Sequence, residues 1–270
     1  MTRHLVRLAA AALAVACPVS WATAHDLWLI PDPKAEAGQR LLVRANSGTK
    51  FPASDHAPDT AAFLARTVVG PDGRRSSAEA AGADGPSGLL SFTPGAHGVY
   101  VLAVETRPKV LTLDAAAFNE YLVSDGLPHV YKLRAKEKTL DRPATERYSK
   151  SPKALVRVGT GGAGDPCRAV GLPLEIVPLQ DPFGRKAGEA LPVRVLFRGE
   201  PLADANLGWD HPGGGEGPAG TVRTDARGEA LVPLARAGLM TIRLTHITRP
   251  KAEAYEWESF WTTLTFRLPE

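Results

Sequence analysis

Short apolar or alternating runs dominate the chain. In the first half they fall at 27–30, 41–45, 66–69, 89–92, 99–104, 110–113 and 155–158, between turn signals such as Gly38, Pro71-Asp72-Gly73 and Pro94-Gly95. A second series, at 174–177, 193–197, 205–209, 221–224, 230–234, 240–245 and 260–266, follows the glycine-rich stretch Gly159-Thr-Gly-Gly-Ala-Gly-Asp-Pro166. Many short strands at this spacing predict antiparallel sandwiches, and helices do not alternate with them as parallel βαβ units require. The expected fold is therefore mainly β: two antiparallel β-sandwich domains, 25–163 and 164–270, with a small helical insert in the first. The insert is predicted over 115–122, capped by Asp114, with Phe118, Tyr121 and Leu122 at i, i+3 and i+4 on one apolar face. The charged segment 130–150 is expected to hold further helix broken at Pro143, its charges forming a solvated face.

Two glycine-rich loops invite a phosphate reading and fail it. The stretch 159–166 lacks the Lys-Ser/Thr of a P-loop and no helix follows it, and Gly213-Gly214-Gly215 is a flexible loop after His211-Pro212. Within the second half, Gly199-Glu-Pro-Leu-Ala-Asp-Ala205 and Thr224-Asp-Ala-Arg-Gly228 read as tight hairpin turns. These turns, with a later Ala-Gly before a strand, resemble the transthyretin-like or carboxypeptidase-regulatory β-sandwich. That resemblance implies a positioning or adhesive scaffold and no chemistry of its own.

The first residues change where the protein is expected to work. Arg3 and Arg7 make a basic start, 5–15 an apolar run, and Ala22 and Ala24 supply small residues at a cleavage site. Residues 1–24 thus read as a signal peptide and the mature protein as periplasmic, beginning at His25. A lipidated Cys17, after Ala14-Val15-Ala16, is the minor alternative. Of 32 basic and 29 acidic side chains the leader holds two basic ones, so the mature charge is small and no dense basic stripe suggests nucleic acid. Of the two cysteines, Cys17 lies in the leader and Cys167 is left without an internal partner.

Cleavage before His25 would free an α-amine beside an imidazole, two nitrogens able to chelate one ion. A third donor must come from elsewhere in the chain, because no His-x-His or His-x-x-x-His pair exists. His246 is the preferred donor. It ends an alternating strand with Met240, Ile242 and Leu244 on its own face, so it continues an apolar row to the rim; a backbone-satisfied core histidine is the plain alternative. Asp26 and Glu258 are candidate oxygen ligands, Trp257, Trp261 and Tyr255 a candidate aromatic wall. His56 is placed in a polar loop, His97 in a turn, and His129 at the surface. Three nitrogen donors in a T-shaped arrangement suit Cu(II) or Ni(II). No Gly-x-Ser-x-Gly, His-Glu-x-x-His or Ser/His/Asp set marks a hydrolase.

His25-Asp-Leu-Trp-Leu-Ile-Pro31, Pro173-Leu-Glu-Ile-Val-Pro-Leu-Gln-Asp-Pro182 and Trp257-Glu-Ser-Phe-Trp-Thr-Thr-Leu-Thr-Phe266, in this order, resemble a periplasmic family of uncharacterised domain type associated with nickel or cobalt uptake transporters. The resemblance implies a transition-metal-binding accessory protein that hands its Ni(II) or Co(II) ion to a membrane transporter, with His25 inside the first of these segments and His129 and Cys167 outside all three. Two rival readings stay open: a copper histidine-brace enzyme oxidising polysaccharide, and a metal-free carbohydrate-binding or adhesion module. No catalytic residue is assigned.

Overall fold

The computed structural model describes residues 25–215, 217–250 and 254–270; the proposed leader, with Cys17, lies outside the described residues. In the first half the strands are β1 (Asp26–Pro31), β2 (Leu41–Gly48), β3 (Ala65–Val69), β4 (Arg75–Ser77), β5 (Glu79–Asp84), β6 (Ser87–Phe92), β7 (Gly98–Glu105) and β8 (Lys109–Leu113). Helices α1 (Ala115–Ser124) and α2 (Pro128–Lys136) precede β9 (Ala144–Lys150) and β10 (Lys153–Val158). The second half holds β11 (Leu174–Pro178), β12 (Ala190–Phe197), β13 (Glu200–Pro201), β14 (Asn206–Asp210), β15 (Gly220–Arg223), β16 (Glu229–Pro233), β17 (Gly238–Thr248) and β18 (Trp257–Leu268). The mainly β expectation holds, and so does the insert. Asp114 accepts from Ala117 N at 2.8 Å, and Phe118, Tyr121 and Leu122 are buried.

One sheet runs through both halves. Its order is β15-β14-β17-β18-β10-β7-β3-β4, with β9 also paired to β18 and β8 to β9. β9 and β10 lie end to end along β18, both parallel to it, while β17 pairs antiparallel on the other side. Almost every residue of β18 is buried, which is why its run of aromatic residues, leucine and threonine is not a clean alternation: both its faces are covered. The glycine-rich stretch near 163 precedes β11, yet the sheet passes across the expected domain boundary.

Alternation divides this sheet into two cores. Val99, Val101, Ala103 and Leu155 face the sheet formed by β11, β12, β13 and β16, packing with Ile242, Leu264 and Phe266. Tyr100, Leu102, Val104, Ala154 and Val156 point the other way, onto the sheet β1-β2-β6-β5. Beside that second sheet, α1 and α2 cover the same face through Phe118, Tyr121, Leu122, Trp257 and Trp261. Phe260, Leu264 and Phe266 are thus the inward side of a closing strand, as their spacing predicts. The two second-half turns are locked together: Thr224 Oγ1 donates to Leu202 O at 2.7 Å and accepts from Ala205 N at 2.8 Å.

The charged segment departs from expectation. α2 ends at Lys136, and 144–150 is strand, where Ala144, Glu146, Tyr148 and Lys150 share one face by period two. That face points inward. Arg134 is also buried, its guanidinium 4.9 Å from the Phe118 ring and donating to Thr139 O and Arg142 O at 2.7 Å. Helix at the start of the segment, with Lys132 and Lys136 exposed, is as expected; over 144–150 the solvated reading fails because the burying partners, β18 and the insert, are distant in sequence.

Candidate functional site

A cavity of about 560 Å³ lies where β1, the 56–63 loop, β8, β9, α1 and β18 meet. Its wall is aromatic: the Tyr121 and Trp261 rings are stacked, centroids 5.4 Å apart and planes 10° from parallel. Lys150 Nζ sits 5.6 Å from the Trp261 ring and 5.8 Å from the Tyr148 ring, and it donates to His25 O. Glu146 is anchored through one oxygen. Trp261 Nε1 donates to Ser259 Oγ at 3.1 Å, and Ser259 Oγ donates to Glu146 Oε1 at 2.6 Å. Tyr121 Oη and Glu146 Oε2 are closed off from solvent, the phenol lying against the carboxyl and Ser259.

Enclosure sets the charges here. Desolvation pushes the Glu146 carboxyl up to about 7, opposed by its Ser259 and Tyr121 contacts, so it is partly protonated at neutral pH. Burial lowers Lys150 to about 8, against the pull of Asp26. The His56 imidazole is lowered by burial first and by His25 and Lys150 after that. Ammonium and carboxyl thus both stand near the point of exchanging a proton, a pattern common at functional sites.

The mouth of the cavity carries His25. Its Nε2 is 2.9 Å from Asp55 Oδ2, and its ring meets the His56 ring edge-on at 5.6 Å between centroids. The loop bearing Asp55 and His56 is pinned to β2: Asp55 N donates to Ser47 O, Ser47 N to Ser54 Oγ and Asn46 Nδ2 to Pro52 O, each at 2.8 Å. Gly48 permits this approach, since a Cβ there would stand 3.0 Å from Ala53 O. An imidazole that chelates together with its own α-amine does so through Nδ1, so a carboxylate on Nε2 holds the ring from its other side. No group of three or more His, Cys, Asp and Glu side chains among the described residues forms a ready metal site, so a complete site needs a further donor.

The four residues singled out in the sequence are not brought together. Arg243, one residue face away from His246, pairs with Asp26, and Thr263 Oγ1 donates to Leu27 O at 2.7 Å, so β1 crosses the Arg243 and Thr263 side of the central sheet. His246 points to the opposite side, against Phe197 with ring centroids 4.6 Å apart. Its alternation with Met240, Ile242 and Leu244 is as expected; the same alternation separates it from His25. Asp26 is buried and held by Arg243, and Glu258 is held by Arg147 and Arg198. Neither carboxylate is presented to His25. Asp55, His56, Glu146 and Lys150 were missed as site residues. The only cue within reach was the period-two spacing of Glu146, Tyr148 and Lys150.

Fold and site together define a β-sandwich protein with an aromatic cavity of mixed charge. Residues 22–248 match the domain of unknown function DUF4198, and the chain belongs to that family. No curated protein matches the chain. Among solved structures it is similar to the D0-D1 domain of Intimin at 12% identity, covering 88% of this chain and 96% of that one with a TM-score of 0.22; a likeness so distant carries no argument.

Proposed function

We propose that the protein is an exported, periplasmic binder of a transition-metal ion, Ni(II), Co(II) or Cu(II), which it delivers to a membrane uptake system. The ion is cargo, held by the freed α-amine and imidazole Nδ1 of His25, with His56 as a neighbouring donor in place of His246 and with Asp55, on Nε2 of the His25 ring, orienting the imidazole where Glu258 had been expected as a ligand. The observation that carries the reading is the His25–Asp55 pair at 2.9 Å beside the His56 ring. Nitrogen-rich donor sets favour these three ions over calcium or magnesium. Pairing of β1 with β2, from Asp26↔Gly48 to Pro31↔Val43, holds the residue next to His25 and limits fraying of the terminus. The second half serves as scaffold, in keeping with its transthyretin-like turns.

Calorimetric titration of each ion into protein processed at His25 tests the reading. Micromolar or tighter binding is expected, at least a hundredfold weaker in His25→Ala and in a form with one glycine preceding His25. Equal binding by the glycine-extended form removes the amine from the site; equal binding by His25→Ala ends the proposal.

A further inference from the structure

The cavity has a direction that a metal ion at its mouth does not use. β8 and β9 pair with Lys109 opposite Tyr148, Leu111 opposite Glu146 and Leu113 opposite Ala144. Period two turns Lys109, Leu111 and Leu113 to one face, and all three line the cavity. Lys150 is the diagonal neighbour of Lys109 across this ladder. Thr106 N donates to Lys150 O, and Thr106 Oγ1 accepts from Lys150 N, each at 2.9 Å, which brings Arg107 to the same end. Charge thus gathers at one end of the ladder and leucine at the other.

The charged end lacks counter-ions. Lys150, Lys109 and Arg107 line the cavity and make no ion pair among the described residues. Lys150 spends one of its three donors on His25 O and keeps the others. It is lowered by burial first and by Lys109 as well, against the pull of Asp26, which is itself paired with Arg243. Both acids on the cavity wall are engaged. Asp59 accepts from Ala61 N at 3.1 Å, and Glu146 accepts from Ser259 Oγ and is closed off from solvent.

The other end is apolar. Leu113 and Trp261 are buried, Leu111 is half-buried, and Leu27 and Phe63 add buried surface from β1 and the 56–63 loop. Trp261 is already stacked on Tyr121 and approached by Lys150, so the surface left is mostly aliphatic and suits a flexible chain better than a flat ring. A volume of about 560 Å³ belongs to the range that holds small organic molecules. Inorganic phosphate would leave the leucines bare. A sugar would set hydroxyls against them and leave the cations unmatched.

We propose that the cavity binds an aliphatic monocarboxylate, its carboxylate held by Lys150, Lys109 and Arg107 and its chain laid along Leu111 and Leu113. The inference stands on the cavity alone and holds whether or not His25 takes a metal.

The test is a titration of octanoate, below its micelle-forming concentration, into processed protein freed of metal on a chelating resin, read by tryptophan fluorescence and by calorimetry. Saturable binding at one site per chain is expected, tightening by up to about fourfold for each CH2 added from butanoate to octanoate. Octanol keeps the chain without the charge and octylammonium reverses it; each should bind at least tenfold more weakly. Arg107→Glu combined with Lys109→Glu, at two exposed positions, should weaken octanoate at least tenfold and strengthen octylammonium, leaving octanol affinity and the urea midpoint in place. No saturable octanoate binding, affinity flat with chain length, equal affinity for octanol or octylammonium, or octanoate binding untouched by the charge reversal would overturn the proposal. Because the titration contains no metal, its failure leaves the metal reading standing, and failure of the metal titration leaves this one untouched.

Discussion

Replacing Lys153 by methionine removes one partner of an ion pair sealed between the central sheet and the β11–β12 sheet. Lys153 Nζ donates to Glu175 Oε1 at 2.7 Å, with each side chain 1% exposed. Removing one partner of such a pair costs about 3–5 kcal/mol, because the remaining charge stays in a medium that solvates it poorly. Glu175 keeps other support. It accepts from Val170 N at 2.9 and 3.1 Å, from Gly171 N at 3.0 Å and from Leu172 N at 3.3 Å. Those amides place Lys153→Met at the lower end, about 3 kcal/mol, which for a chain of this length corresponds to roughly 6–12 °C in Tm. Glu175→Gln should cost at least as much, since it strands the ammonium. The double variant should lose about 1–2 kcal/mol less than the two single losses added together. Urea unfolding with unchanged m-values is the measurement. A loss under about 1 kcal/mol for Lys153→Met, or strict additivity in the cycle, would refute the claim that this pair is a coupled buried unit.

Two further outcomes follow from the central sheet. Burial holds the His246 imidazole down at about 4, below its usual 6.5, so the unfolded chain binds a proton that the folded one refuses; stability is whole above pH 6.5 and falls as pH drops toward 4. His246→Phe should reduce the loss between pH 7 and pH 5 by about 1–2 kcal/mol in urea melts and leave metal affinity unchanged; an unaltered pH profile or weakened metal binding contradicts the assigned placement. Arg243→Met strands the buried Asp26 carboxylate and should cost about 3 kcal/mol, with faster amide exchange in β1. Exchange as slow as in the unaltered protein would mean that Arg243 does not hold this strand.

The strands, the Asp114 cap and the apolar face of α1 were legible in the sequence because each depends on neighbours a few residues away. So was the alternation of 240–246. What alternation cannot tell is which face another strand will cross: Arg243 and His246 differ by an odd number of positions, and that parity put His246 on the far side from His25. Segment 144–150 misled for a related reason. Glu, Arg and Lys in a row suggest solvent, and only pairing with β18, more than a hundred residues later, turns Glu146 and Lys150 inward. Asp55 and His56 sit in a loop whose position depends on bonds to β2, and a polar loop carries no periodic signal.

Strand β18 gives the order of assembly a particular shape. β9, β10 and β17 have no common neighbour until Trp257–Leu268 has been synthesised, so the middle of the sheet is the last part of it to be made. Trp261 closes the cavity at that same moment. An unfinished chain therefore holds no pocket able to trap a ligand, and contacts spanning this much sequence make folding slow.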